Sequence, residues 1–283
     1  MPKTNRPGFC FVSRPRSLNL VLSLLLPFLT AVGVSGCGGD KESTQATPSE
    51  VSAAPAEAQA NSSGYTVQDV THGGAIEGQV ILSGKPIPPR PVLVNQDASV
   101  CGSHRLVYPV KVEKGGIVDA VVWIDNIQEG KAYDFPPPVL DQKKCTYDPH
   151  VVVMQPGDLK ITTSDPVPHN VHSYSEANRT YNESMNPLNR EMTFRLARPE
   201  CVTFKCDLHG WMEAFVVVAK NPYYAVTQPG GTFQLRNIPP GTYQLKVWQE
   251  TLGEMTLDVT VEAGKTARIN FRLDSTNSER AVR

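Results

Sequence analysis

Between Cys206 and Met212 the chain reads CDLHGWM, with a thiol, an imidazole and a thioether separated by two residues each. Further upstream, DPVPHNVHS at 165–173 offers His169 and His172, His169 lying 37 positions before Cys206. Taken together, His169, Cys206, His209 and Met212 supply two imidazoles, one thiolate and one weak thioether. That is the donor set of a mononuclear blue-copper electron-transfer centre, trigonal in His₂Cys with a long axial Met. Thiolate suits Cu(I), imidazole suits Cu(II), and the thioether completes the site without gripping it. Zinc is the competing ion for the same Cys and His residues, but it seldom recruits a thioether. Asn170, beside the first histidine, is placed to tie two loops together and orient a ligand. His172 sits two residues past His169, on the same side of an extended strand, and reads as a polar surface group or hydrogen-bonding partner. His150 in YDPHVVVM reads similarly. Cys201 and Cys206 have four residues between them and only two separate Cys206 from His209, which disfavours a two-copper site.

Holding two distant loops around one ion takes a rigid frame, and from about residue 66 the chain is nearly all strand and turn. AIEGQVIL, VDAVVWIDN, HVVVMQPGDLKITT, EMTFRL, CVTFKC and MEAFVVVA are short and rich in β-branched or aromatic residues. Gly and Pro clusters such as SGKPIPPRP and FPPPV punctuate them, and no segment keeps helical periodicity over three turns. Cys206 ends one strand, its loop carries His209 and Met212, and MEAFVVV resumes the sheet. A second β unit begins near Asn221, where GGTFQLRNIPPGTYQLKVW and MTLDVTVEAGKTARINFRL alternate apolar and polar residues across turns. About 50 residues make a marginal independent core, so this unit is expected to pack on its neighbour or take a strand from it. GGAIEGQVILSGKPI, near residue 75, has the look of a first strand of the same sandwich.

The N-terminus carries Lys3, Arg6, Arg14 and Arg16, then the apolar run LNLVLSLLLPFLTAVGVSG up to Cys37. A basic segment, an apolar segment and small residues before the cut describe an export signal. VSGC is similar to a bacterial lipoprotein processing box, which implies a signal over 1–36 and lipid on Cys37. Residues 37–65, rich in Ser, Ala, Glu, Thr, Gln and Pro, read as a disordered tether. The expected organisation is then 66–219 for a metal-carrying sandwich with an N-terminal β extension, 220–273 for the smaller sandwich, and 274–283 for a loose tail. The expected location is extracytoplasmic, anchored by lipid to a bacterial membrane, the outer one weakly favoured because Gly38 is not aspartate. Losing four basic residues with the signal takes the formal charge from -1 to -5. No basic stripe remains to attract phosphate, which argues against nucleic acid. An oxidising compartment permits disulfides. Cys101–Cys145 is the preferred pair because Cys206 is reserved for the ion, and Cys201 is left without an assigned partner.

PHNVH with CDLHGWM resembles the cupredoxins, and the spacing of the cysteine, second histidine and methionine is most similar to the amicyanin ligand loop. The resemblance spans about residues 145–219 and implies a Greek-key β-sandwich. It also implies one copper on His169, Cys206, His209 and Met212, with Asn170 bracing the cysteine loop. Asp207 departs from the usual pattern by placing a charge near that loop. GTFQLRNIPPGTYQLKVW is similar to the transthyretin-like regulatory domain attached to some carboxypeptidases, a structural or interaction module that implies no peptidase activity. The whole arrangement resembles bacterial plastocyanin-like proteins assigned to methylamine utilisation, though no residue here points to methylamine.

These readings make the chain all-β and a membrane-tethered one-electron carrier, not an enzyme: no acid–base constellation, phosphate-cradling loop or water-bearing metal position is identifiable. Its expected partner is a redox protein such as a cytochrome or a quinol-linked complex. His209 is expected at the surface as the electron-transfer edge, beside Gly210 and Trp211. The alternatives are a copper-binding lipoprotein for delivery or storage, and a structural β module in which metal is incidental.

Overall fold

The structure, a computed structural model, describes residues 64–276. The expected signal and Cys37, all but the end of the tether, and residues 277–283 lie outside the described residues.

The fold is all-β, built as two sandwiches. In the first, a four-stranded sheet is ordered Thr146–Asp148, Val139–Lys143, Gly157–Thr163, Glu191–Leu196. It faces a five-stranded sheet ordered Val151–Met154, Glu213–Val218, Glu200–Lys205, His169–Tyr174, Asn182–Met185. Alternate residues point inward, so Leu140, Leu159, Ile161 and Phe194 meet Val171, Val202, Phe204 and Val216 in one core. Cys206 and Met212 lie in that core too.

The second sandwich pairs a four-stranded sheet, Tyr224–Val226, Val121–Ile124, Gly241–Gln249, Gly253–Val261, with a three-stranded one, Thr232–Ile238, Gly74–Ser83, Thr266–Asp274. Here the sequence-based division is corrected. The strands Gly74–Ser83 and Val121–Ile124 belong to this sandwich and are not an extension of the metal-carrying one. Gly74–Ser83 runs parallel to Thr266–Asp274 from Ala75↔Thr266 to Ser83↔Asp274, and pairs with Thr232–Ile238 on its other edge. The small C-terminal unit thus completes its core with residues some 190 positions upstream, and the first sandwich is inserted between its strands. Gly78 permits this central placement: a Cβ there would stand 1.7 Å from the carbonyl oxygen of Ile269.

The two sandwiches are packed face to face. Val121, Trp123, Tyr224 and Trp248 meet Val151, Cys201, Phe215 and Val217 in a third apolar cluster. Trp123 stacks on Tyr224 at 5.9 Å and Trp248 meets Phe215 edge-on at 5.3 Å, pairs worth about 0.5–1.5 kcal/mol each beyond their area. Burial on both faces explains why AVVWI and AFVVVA read as unbroken apolar runs rather than alternating ones. It also places Cys201, which faces this interface, away from Cys206, which faces the first core.

A histidine of the first sandwich bonds to a carboxylate across the same boundary. His150 Nε2 lies 2.9 Å from Glu250 Oε1, and His150 Nδ1 lies 3.1 Å from the Glu213 carbonyl. Burial disfavours the imidazolium, but the hydrogen bond and charge of Glu250, with Asp119 adding to them, outweigh it and raise the His150 pKa. Protonation therefore stabilises the fold fully below the unfolded histidine value of about 6.5, and the gain is lost as pH rises through the higher folded value. Unfolding free energy measured by urea titration should fall over that window in the wild type and stay flatter in His150→Gln.

Candidate metal centre

His169 opens the strand His169–Tyr174, and Cys206 follows directly on Glu200–Lys205, its antiparallel neighbour. That pairing, His172↔Lys205, brings the two loops to one end of the sandwich. The Cys206 loop closes on itself. Met212 N–H donates to the His209 carbonyl at 2.8 Å and Cys206 N–H to the Met212 carbonyl at 3.3 Å. His169, Cys206, His209 and Met212 are each 1% exposed or less.

Three donor atoms converge. Cys206 Sγ is 3.8 Å from His169 Nδ1 and 3.7 Å from His209 Nδ1, and the two Nδ1 atoms are 3.0 Å apart. Both rings are fixed from behind by acceptor-only groups. His169 Nε2 lies 3.0 Å from Asp165 Oδ2, and His209 Nε2 lies 3.1 Å from Asp97 Oδ2. Each Nε2 therefore carries the proton and donates it to the carboxylate, leaving each Nδ1 with a lone pair aimed at the sulfur and at the other ring. Lone pairs facing one another out of water repel, and a cation bonded to all three removes the conflict. Carboxylate behind imidazole behind metal is the arrangement that orients such ligands. The donor chemistry and the spacing fit a copper ion. Met212 is buried on the same loop and packs in the first core.

Burial pushes the Cys206 thiol up and the His169 imidazolium down, Asp165 opposing the latter. Without metal both groups are uncharged, and metal binding must release the thiol proton. Asn170 N–H points at Cys206 Sγ over 3.5 Å, a contact that favours the thiolate.

Asn170 does brace the cysteine loop. Its Oδ1 accepts from Asp207 N–H at 2.5 Å, and its Nδ2 donates to Asn182 Oδ1 at 2.7 Å and Asp207 Oδ2 at 2.9 Å. Asp207, unusual for its position, is the partner these bonds require, and the Asn170 amide holds its carboxyl below the ordinary range. His172 does not reach the cage. It bonds Asp207 at 3.0 Å and stacks on Tyr174 at 4.3 Å. Cys101 and Cys145 form the expected disulfide.

One expectation fails. His209 is not a surface edge: it is fully buried. The residue covering it, Asp97, lies 112 positions earlier in a loop with no ligand-like pattern, so nothing local in CDLHGWM announces it. Asp165 was also missed, although it stands four residues before His169 within the motif itself.

Parts of the chain are similar to known proteins. Residues 212–274 match the carboxypeptidase regulatory-like domain. No curated protein matches the chain. Solved structures similar to part of it include a purple cupredoxin from Nitrosopumilus maritimus (18% identity, 29% of this chain, 99% of that one, TM-score 0.26). Amicyanin from Paracoccus versutus is another, at 19% identity over 30% of this chain and 86% of that one, TM-score 0.27. A copper-containing nitrite reductase from Thermus scotoductus matches at 12% identity over 50% of this chain and 28% of that one, TM-score 0.28.

Replacing Asn170 with Ala removes its bonds to the Asp207 amide, the Asp207 carboxylate and the Asn182 side chain, which should cost the metal-free protein about 0.5–1.5 kcal/mol in urea unfolding. A loss below about 0.5 kcal/mol would mean the brace is not energetically real.

Proposed function

We propose that this chain is a membrane-tethered one-electron carrier with a single copper held by His169, Cys206, His209 and Met212. The observation that supports it best is the convergence of two imidazole Nδ1 atoms and one sulfur within 3.0–3.8 Å, out of solvent. When bound, copper supplies a couple between Cu(I) and Cu(II) that this mixed donor set accommodates. The chain's own residues do the rest. Asp165 and Asp97 fix the two rings, Asn170 and Asp207 fix the cysteine loop, and the first core excludes water. A frame held this firmly changes little between oxidation states. Burial of all four side chains keeps bulk water from the site, whereas metal-assisted hydrolysis would need a water held there. Delivery of copper, the alternative raised by the sequence, calls for an accessible cage, and this one is closed.

Leu208 and Gly210 are exposed on either side of buried His209, and the Trp211 ring, 5.3 Å from that of His209, is half-buried. In this reading they are part of the docking contact for a transient redox partner, a cytochrome or quinol-linked complex. Among the described residues no helix is long and apolar enough to cross a membrane. In this reading the attachment is lipid on Cys37, the tether holds the sandwiches outside the cytoplasm, and the outer membrane is the favoured site.

Copper-loaded protein should show an intense sulfur-to-copper absorption near roughly 600 nm. Met212→Leu should keep that band but shift it, and Cys206→Ala should abolish it. A colourless wild-type copper complex would overturn the proposal.

A further inference from the structure

The connection between the strands Gly74–Ser83 and Val121–Ile124 of the second sandwich is long, and part of it reaches the metal centre of the first. Its hairpin pairs Arg90–Leu93 with His104–Val107, and the tip carries the short helix Ala98–Cys101. Four kinds of contact fasten that tip over the site. Asp97 Oδ2 accepts from His209 Nε2 at 3.1 Å. The Gln96 amide donates to the Leu208 carbonyl. Val94 and Val100 pack on the first core. Cys101 is disulfide-bonded to Cys145, 44 residues away, and Arg105 donates to both the Cys101 and Lys144 carbonyls, at 2.9 and 2.6 Å.

The far side of this fastening is tied to the other ligand. Asp165, which orients His169, accepts from the backbone N–H of Lys144 and Cys145 at 2.6 and 2.7 Å. Trp211 Nε1 donates to the Cys145 carbonyl at 2.9 Å. A disulfide sulfur lies within 4.8 Å of a ring nitrogen of His209, and Cys145 lies equally near His169. The disulfide therefore joins the covering segment to the turn that sets both imidazoles.

We propose that Gln96–Cys101 is a disulfide-locked cover on the metal cage, and that Asp97 within it is a positioning residue for His209. The cover fills the place beside His209 Nε2 where solvent or a partner would otherwise enter. Asp97 keeps the proton on Nε2, so that Nδ1 stays turned toward Cys206. Entry to the cage, by a metal or by any reagent for its thiol, then waits on the cover lifting. This also gives the second sandwich a task, since its own loop closes the site of the first. The proposal depends on the metal cage only for its purpose; the geometry of closure belongs to the chain alone.

The test uses the metal-free folded protein and iodoacetamide, with alkylation of each cysteine followed by mass spectrometry. Cys201, buried at the interface between sandwiches, reports general loosening, while Cys206 reports the cage. Asp97→Ala, and separately the Cys101→Ser/Cys145→Ser pair, should speed Cys206 alkylation by about tenfold or more, what losing a charge-assisted bond or a cross-link makes in a local opening equilibrium. Cys201 should stay as slow as in the wild type, and Asp97→Asn, which keeps an acceptor for Nε2, should restore most of the protection. Unchanged Cys206 rates would overturn the cover, and so would equal acceleration of Cys201 and Cys206, since that marks global loosening. Copper colour plays no part in this measurement, so failure here leaves the metal assignment standing, and a colourless copper complex leaves the cover standing.

Discussion

Two imidazole lone pairs and a cysteine sulfur face one another across 3.0–3.8 Å in a dry interior. Such a cluster is unfavourable by itself, because the two Nδ1 lone pairs face each other out of water and one thiol proton can serve only one of them. What keeps it assembled is a ring of bonds behind it: Asp165 and Asp97 on the histidines, Asn170 on the cysteine loop, and the disulfide linking the Asp97 segment to the turn whose backbone N–H groups hold Asp165. The sandwich supplies the rigid base and the ring supplies the aim. A cation bonded to all three atoms relieves the crowding, and in the proposed function that cation is copper.

The second sandwich is bound up with this arrangement rather than appended to it. Its sheet covers the outer face of the five-stranded sheet that carries His169 and Cys206, through Trp123, Tyr224, Trp248 and Phe215. Its N-terminal strand pairs with its C-terminal one, enclosing the whole inserted sandwich between them. The loop that leaves this N-terminal strand then returns over the cage. A cross-link closing 44 residues contributes roughly 4 kcal/mol on the chain-entropy account, and here that stabilisation falls on the segment beside the ligands.

Much of the site was legible because its signals are local. CDLHGWM and PHNVH state donor types and spacing directly, and Asn170 follows from standing beside the first of them. The strands were legible from β-branched runs, and the disulfide from setting Cys206 aside. What escaped the sequence depends on contacts over long separations. Parallel pairing of Gly74–Ser83 with Thr266–Asp274 leaves no periodicity of its own, since the same alternation serves any edge; GGAIEGQVILSGKPI read as a first strand of the smaller sandwich, but nothing in the sequence named its partner or assigned Val121–Ile124 to the same unit. Asp97 is one acidic residue in a polar loop, and only folding brings it to His209. The expectation of an exposed His209 therefore failed for a reason that lies more than 100 residues away.

X-ray absorption at the copper edge of the loaded protein examines the central claim most directly, because it reads the atoms bound to the metal without reference to colour or activity. The account predicts one short sulfur bond with two imidazole nitrogens, and loss of the short sulfur contribution in Cys206→Ala. A shell of nitrogen and oxygen alone, unchanged by that substitution, would contradict it.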